Sequence, residues 1–448
     1  MIDRRLIVAC VAVAALWHGT AAAQTLNEAL ALAYGGNPVL GAQRQQLLAT
    51  DELMPQARSG YRPTVEISGV AGVGYSDTDE SSSDTLTPAS AALSIVEPLY
   101  RGGKTTAEIK RASSLIQSER ARLFDVEQTV LLDAVTAYMD VVRDQAVLDL
   151  ARNNEDVIGR QLEATRDRFE VGEVTRTDLA QAEARLASAV ADRVRAEGDL
   201  ISSRAAFQRV IGVGPGTLEN PALLSGLPEG EADALRIAEA EHPGIVAADY
   251  VEEAARHDIR IAEGDLLPEI RLRGSVKHEY DSSTSADRLD TASVRAEVSI
   301  PLYEAGFTHS VVRKSKLRAA QRRLEASQTR LEVAEGVTRG WEQVVTAEAQ
   351  IAAFNEAVRA AEIALDGLQH EALVGSRTVL DVLDGEQELF EARVDLVRAQ
   401  RDLVVATYTL QGAVGRLTAQ ALGLPVEPFD VESHYDRVRD AWWGTATE

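Results

Sequence analysis

Residues 97–106 read EPLYRGGKTT, and residues 300–306 read IPLYEAG. The two stretches share four residues at a constant spacing of 203 positions: Pro98, Leu99, Tyr100 and Gly103 in the first, and Pro301, Leu302, Tyr303 and Gly306 in the second. Self-similarity at a fixed spacing indicates a duplicated structural unit. The stretch therefore marks the same structural transition in two halves of one chain.

Gly103, Lys104 and Thr105 also resemble the end of a phosphate-binding loop. That loop needs a glycine five residues earlier, because backbone N–H groups wrap the phosphates, and Pro98 has no N–H. The second copy lacks the lysine as well. We interpret the stretch as a turn from a strand into a helix. Pro98 is expected to end the strand, and Thr105 or Thr106 to cap the helix.

The strand predictions rest on alternating apolar and polar residues. Four segments show this pattern, at about 63–75, 89–97, 268–280 and 292–300. In each half a polar, acidic stretch (76–87 and 281–290) joins the two strands as a turn. Strands of about ten residues with one apolar face suit a membrane β-barrel, although two soluble hairpins would give the same pattern. Four strands cannot close a barrel, so several chains must contribute.

The remaining sequence predicts long helices. Residues 104–169 contain no proline and have apolar residues at steps of three and four. A returning helix at 176–211 has the same spacing, and the pattern recurs 203 residues later. At 1.5 Å per residue the long helix would extend about 100 Å. The expected fold is mainly α with membrane β strands, in two structural repeats at 24–220 and 221–420.

The N-terminus has the features of a secretory signal peptide over residues 1–23. Two arginines precede an apolar run, which ends in three alanines at 21–23. Cys10 is the one cysteine of the chain, and too few apolar residues precede it to favour a lipoprotein signal. A formal net charge of −24 argues against a nucleic-acid partner. The scattered histidines lack metal-ligand spacing, so no metal or cofactor is expected.

Two stretches carry a resemblance to a known family: VGEVTRTDLAQAEARL at 171–186 and VGSRTVLDVLDGEQELFEAR at 374–393. With the duplicated plan, they resemble the TolC family of outer membrane exit ducts over essentially the whole mature chain. The resemblance implies a homotrimer with a 12-stranded barrel, four strands per chain, continuing into a periplasmic α-helical coiled-coil barrel. It also implies a periplasmic adaptor, an inner-membrane ABC or proton-driven transporter, and no catalysis.

The resemblance further implies a gate at the periplasmic mouth. Asp381 and Asp384 match the family's acidic ring, and Thr177, Asp178 and Arg377 match the network that holds the mouth shut. Ala372 stands where the family has a tyrosine of that network, so closure must be weaker or made differently here. The hairpin tips, which contain Val171, Gly172, Val374 and Gly375, are the expected adaptor contacts.

An alternative interpretation of these tips is purely structural. Thr175 with Asp178, and Thr378 with Asp381, have the spacing of capping boxes at helix starts. The glycines are then helix-terminating residues. Asp384 lies beyond the cap, so it is the stronger candidate for the lumen.

The predicted function is a passive exit duct in the outer membrane of a Gram-negative bacterium, most consistent with type I protein secretion. The tail at 421–448, which includes Trp442 and Trp443, resembles the secretion branch and is expected to pack at the waist of the helical tunnel. Small-molecule efflux and a soluble periplasmic scaffold or adaptor are the alternatives. No acid–base or nucleophilic constellation indicates an enzyme.

Overall fold

The computed structural model describes residues 24–78, 81–283 and 286–446. The expected signal peptide and Cys10 lie outside these residues. The chain divides into two compact units. One contains residues 24–42, Phe124–His242 and Glu332–Pro428, and the other contains Gln43–Leu123, Pro243–Leu331 and the tail from Phe429. Within the described residues, no helix has both the length and the apolar character needed to cross a bilayer.

A four-stranded antiparallel sheet lies in the second unit. Its strands are β1 (Thr64–Ala71), β4 (Ala89–Arg101), β5 (Glu269–Ser283) and β6 (Ala286–Ser299), in the order β1-β4-β5-β6. The two halves of the sequence meet at the central pair, where Ile95 lies opposite Gly274. Both outer strands, β1 and β6, leave one edge unpaired within the described residues.

The stretches expected to be turns are largely strand. Residues beyond β1 form a second hairpin, β2 (Gly74–Thr78) with β3 (Ser81–Leu86), and β5 and β6 pair as far as Ser283 and Ala286. Residues 79–80 and 284–285 lie outside the described part. The prediction of polar turns at 76–87 and 281–290 was wrong because backbone pairing in a hairpin does not require apolar side chains.

The turn at EPLYRGGKTT differs from the expectation in two details. The strand continues past Pro98 to Arg101, with a register shift between Pro98 and Tyr100 that accommodates the missing N–H. Thr105 does not cap the helix; its buried hydroxyl lies 3.3 Å from the carbonyl oxygen of Gly60. Lys104, the residue of the phosphate-loop comparison, forms an ion pair of 2.8 Å with Asp265.

The helices of this unit form a row in which each contacts the next. They are α2 (Pro38–Asp51) with α3 (Leu53–Arg58), the first third of α4 (Lys104–Glu170), α7 (Pro243–Gly264) and the first third of α8 (Phe307–Leu373). Met54 of α3 packs against Ala112 and Ile116 of α4. On the other side of α4, Ser118 Oγ donates to the Ala247 carbonyl of α7 at 3.0 Å.

On its far side α7 contacts α8, since Arg330 pairs with Asp249 at 2.6 Å. The row therefore has the order α2/α3, α4, α7, α8, and its ends are α2 with α3 and α8. These are also the helices adjoining the edge strands in sequence: α3 precedes β1, and α8 follows β6.

The tail of this unit contains α10 (Ser433–Val438). His434 is buried, and its Nδ1 lies 3.3 Å from Oδ2 of the fully buried Asp51. The Arg44 guanidinium lies over the Phe429 ring. Trp442 lies under Arg62, whereas Trp443 is 92% exposed. The tail is thus held by a buried histidine. The ring of Trp443 is exposed in a single chain, and packing of the tail at the waist of a trimeric tunnel stays a prediction.

The first unit contains α1 (Leu26–Gly36), α5 (Arg176–Ile211), α6 (Glu231–Glu241), α9 (Val379–Ala413) and the rest of α4 and α8. Its core includes the fully buried Tyr138, whose hydroxyl lies 2.7 Å from the carbonyls of Gln24 and Glu219. Burial raises the pKa of Tyr138 to about 12. The first long hairpin, α4 with α5, lies within one residue of the predicted bounds, and α8 with α9 repeats it 203 positions later to within one residue.

Candidate functional site: the two hairpin tips

The tips of the two helical hairpins have the same backbone structure. Gly172, after α4, has φ +82°, and Gly375, after α8, has φ +79°. The Glu173 N–H donates to the Arg168 carbonyl at 2.8 Å, and the Ser376 N–H donates to the Glu371 carbonyl at 3.0 Å. Each bond closes a helix end of the Schellman type, which needs a left-handed residue and so favours glycine.

Each tip contains a valine directly after the long helix. Val171 is 72% exposed and Val374 is 80% exposed. Each lies directly before the left-handed glycine. Two apolar side chains are therefore exposed to solvent on hydrogen-bonded turns, at the positions expected to contact an adaptor.

The first turn of each returning helix is a capping box. The Asp178 carboxylate accepts from the Thr175 N–H at 2.8 Å, and the Asp381 carboxylate accepts from the Thr378 N–H at 2.8 Å. The N–H and hydroxyl of Thr378 hold the pKa of Asp381 below its usual range. The structural interpretation of these two aspartates is correct, and Asp381 remains an ionised carboxylate at the tip.

Asp384 lies one turn further along α9 and is bonded across the two hairpins. Its carboxylate accepts from Nη2 of Arg185 on α5. Both side chains are partly exposed, at 52% for Asp384 and 38% for Arg185. Beneath the pair, Val379 and Leu383 of α9 belong to the same apolar cluster as Ala182 of α5. The pair therefore lies over a packed contact between the two returning helices.

The remaining members of the expected gate are dispersed within one chain. Arg377 pairs with Glu371 of its own tip at 2.9 Å, and this contact raises the pKa of Arg377. Thr177 is exposed in the first turn of α5. Ala372 packs against the apolar cluster between α8 and α9 that contains Leu365 and Val382. The structure thus brings Asp384 to Arg185 but does not bring Arg377 to Asp178 within a chain.

Two polar residues of this region were missed at the level of sequence. Arg185 is one, and Glu386 is the other: it accepts from Nε2 of Gln369 at 3.1 Å, and burial raises its pKa. The repeat held a signal for Arg185, because the residue 203 positions later is Glu388. Opposite charges at equivalent positions of the two repeats indicate that these positions have different partners.

The sequence comparisons decide the family. The family model for outer membrane efflux proteins matches residues 29–213 and 234–416, one segment in each structural repeat. The chain belongs to this family. It is 36% identical over 445 residues to the outer membrane efflux protein BepC of Brucella suis, covering 98% of this chain and 96% of that protein. It is 27% identical over 409 residues to the outer membrane protein TolC of Vibrio cholerae, with 89% and 92% covered.

Two further matches bear on cargo and fold. The alkaline protease secretion protein AprF of Pseudomonas aeruginosa is 25% identical over 355 residues, covering 76% of this chain and 72% of that protein. The crystal structure of the CmeC outer membrane channel of Campylobacter jejuni superposes with a TM-score of 0.80 at 14% identity, covering 93% and 89%. The resemblance to the TolC family and the expected fold class are therefore confirmed.

Membership of this outer membrane family fixes the class of function. The protein is a passive outer membrane channel of an export system and not an enzyme, and it extends through the periplasm of a Gram-negative cell. The soluble scaffold considered from the strand pattern is thereby excluded. Channels of the family are trimers that work with periplasmic adaptors and inner-membrane transporters.

Proposed function

We propose that three copies of this chain form the exit duct for a type I protein secretion system. Each copy would contribute four strands to one 12-stranded barrel. The observation that carries the proposal is the sheet with two open edges, because an unpaired edge is not viable in lipid. If β6 of one copy pairs with β1 of the next, the N–H and C=O groups of both edge strands are hydrogen-bonded. Chemical crosslinking in outer membranes should give a trimer, and a monomer in mild detergent would refute the shared barrel.

The hairpin tips are proposed to form the periplasmic mouth of this duct. Threefold symmetry would place six carboxylates, from Asp381 and Asp384, around one opening. A ring of that charge concentrates cations and repels anions. Asp384 is partly neutralised by Arg185 in one chain. We infer that this contact holds the mouth closed, in place of the tyrosine contact that Ala372 does not make.

Cation selectivity tests this assignment. Asp381→Asn with Asp384→Asn should reduce the preference for cations in planar bilayers. The loss should be large at 0.01 M salt and small at 1 M, where the Debye length is only about 3 Å. Glu391→Gln on the same helix, away from the tip, is the matched control. Unchanged selectivity in the double variant would place these carboxylates outside the conduction path.

The adaptor is proposed to bind the tips through Val171, Gly172, Val374 and Gly375. The exposed valines provide apolar contacts, and a valine loses little side-chain conformational entropy when it is buried by a partner. Val171→Glu and Val374→Glu should abolish co-purification of the adaptor while leaving the trimer intact. Val194→Glu, an exposed valine on the body of α5, should leave the complex unchanged.

Relatives support two kinds of cargo. AprF is named for secretion of a protease, which favours protein cargo, whereas BepC is named as an efflux protein, which favours small molecules. Deleting the gene separates the two. Loss of a protein from the culture medium with unchanged drug sensitivity would support secretion. Drug sensitivity with an unchanged secretome would support efflux.

A further inference from the structure

An apolar stripe on α8 has no partner within the described part of the chain. Leu317, Leu324 and Leu331 lie seven residues apart, and their exposures are 73%, 67% and 67%. A leucine every seven residues forms one seam along a helix, as in a coiled coil. Lys316 and Arg330, the neighbours of Leu317 and Leu331, pair with α7, so the stripe lies on an adjoining face of α8 that α7 leaves exposed.

The internal repeat identifies what should cover the stripe. The corresponding residues of α4, which lie 203 positions earlier, are Ser114, Ala121 and Gln128, and all three are buried. Around Ser114 and Ala121 this face of α4 contacts α7, through the hydrogen bond from Ser118 to Ala247 and the 3.2 Å ion pair between Arg111 and Asp258. The side-chain carbonyl of Gln128 instead accepts from the Leu417 N–H at 3.2 Å. The exposed stripe of α8 is therefore the copy of a face that is buried in the first half.

Shifting α7 by the repeat spacing identifies the helix that should cover the stripe. Over residues 38–69 the spacing between the repeats is 205 positions and not 203, since Pro38 matches Pro243 and Gly69 matches Gly274. The counterpart of α7 is therefore the segment formed by α2 and α3, at the opposite end of the row. A helix cannot contact the far end of its own row, so the partner belongs to a second copy. On α7, Ala254 is buried where it lies between the two contacts to α4, whereas its counterpart on α2, Ala49, is exposed.

We propose that Leu317 of one copy packs against Ala49 of the next, in the antiparallel arrangement of α4 with α7. In the repeat, Leu317 is equivalent to Ser114 and Ala49 is equivalent to Ala254. It rests on the proposed trimer and specifies its contacts. The leucines lie on α8, where the contact is between separate chains, and not on α4, where it is within one chain. Association of separate chains requires more apolar burial than a contact formed within one chain.

The sheet gives an independent register for the same junction. Ile95 lies opposite Gly274 in the central pair. Shifting each residue by its repeat spacing gives Val298 on β6 and Gly69 on β1. The strands thus give the same result as the helices: the end formed by β6 and α8 of one copy meets the end formed by β1 and α2 of the next.

Disulfide trapping tests the pairing, with Cys10 replaced by serine so that the only thiols are those introduced. Full-length chains carrying Leu317→Cys with Ala49→Cys are oxidised in outer membranes and run without reductant. We expect covalent dimers and trimers, with at least ten times less linked product for either single variant. Ser114→Cys with Ala254→Cys should give an internal link that leaves the mass unchanged.

A misregistered pair is the decisive control. Leu331→Cys with Ala49→Cys uses the same stripe, but Leu331 lies 14 residues from Leu317, which is about 21 Å along the helix. It should not link. A wild-type trimer with no link between positions 317 and 49, or an equal link between 331 and 49, would overturn the pairing and leave the exit duct intact. A wild-type monomer would overturn both.

Discussion

Arg185 and Asp384 join two helical hairpins that lie almost 200 residues apart in the sequence. Their counterparts in the repeat are Glu388 and Gln181, which cannot form the same ion pair. The contact is therefore specific to the junction within a chain. In the proposed trimer, the equivalent positions at the junction between chains would carry a carboxylate and an amide, so the two kinds of junction at the mouth would be chemically distinct.

Removing this pair should favour the open state. An exposed ion pair contributes about 0.2–1 kcal/mol, so Arg185→Ala should raise the open-to-closed ratio by up to about fivefold for each of the three pairs in the proposed trimer. Conductance in planar bilayers measures that ratio. Arg195→Ala is the control, because Arg195 pairs with Asp192 of its own helix. In a double-mutant cycle, Arg185→Ala and Asp384→Ala should be non-additive, and independent effects would contradict a latch.

A side chain in place of the glycine at the second tip should destabilise the turn. Gly375→Ala places a Cβ on a left-handed residue, which costs about 1–2 kcal/mol. Thermal unfolding in detergent would show the loss. Gly367→Ala, inside α8 with open space around it, should instead be neutral or stabilising by about 0.5–1 kcal/mol. Equal effects of the two substitutions would show that the turn does not depend on its left-handed residue.

The cap at Asp381 should fail in acid. Because the folded-state pKa of Asp381 lies below its ordinary value of 3.8, its contribution to stability is complete above that value and is lost as pH falls through the folded-state pKa. Asp381→Asn should lose this dependence while keeping the fold. Amide hydrogen exchange at the first turn of α9 between pH 5 and pH 2 would follow it. The same pH profile in wild type and variant would assign the change to another group.

The sequence determined the helical hairpins more closely than it determined the strands. Residues 104–169 have a long apolar period and no proline, so the helix could be bounded to within one residue of the observed Glu170. The strand ends could not, because pairing beyond residue 75 depends on a partner strand and not on local polarity. Pro98 shows the same limit: a single missing N–H is absorbed by a register shift once β5 lies alongside.

In the candidate site, too, local features were predicted and contacts between distant segments were not. The capping boxes at Thr175 and Thr378 are local patterns, and both were predicted. The partner of Asp384 was not, since Arg185 reaches it only after two hairpins have packed. For Arg377 the expected partners belong to the network at the mouth, whereas the observed partner, Glu371, is local and lies in the same tip.

The buried histidine of the tail should be required for stability of the second unit. Burial raises the pKa of Asp51, while the hydrogen bond to His434 and the charge of Arg120 act in the opposite direction. His434→Ala would leave a fully buried carboxylate without this partner, at a cost of about 1–3 kcal/mol. Thermal unfolding and limited proteolysis of residues 429–446 measure the effect at pH 7.

The pH dependence distinguishes this cause from a simple loss of packing. A raised folded-state pKa means that protonated Asp51 favours folding, and that this contribution disappears as pH rises through the raised value. The variant's deficit should therefore shrink when the pH is lowered towards 4. Trp443→Ala, at a ring that is 92% exposed, should change stability by less than about 0.5 kcal/mol at either pH. A deficit in His434→Ala that is independent of pH would show that the imidazole acts through its volume alone.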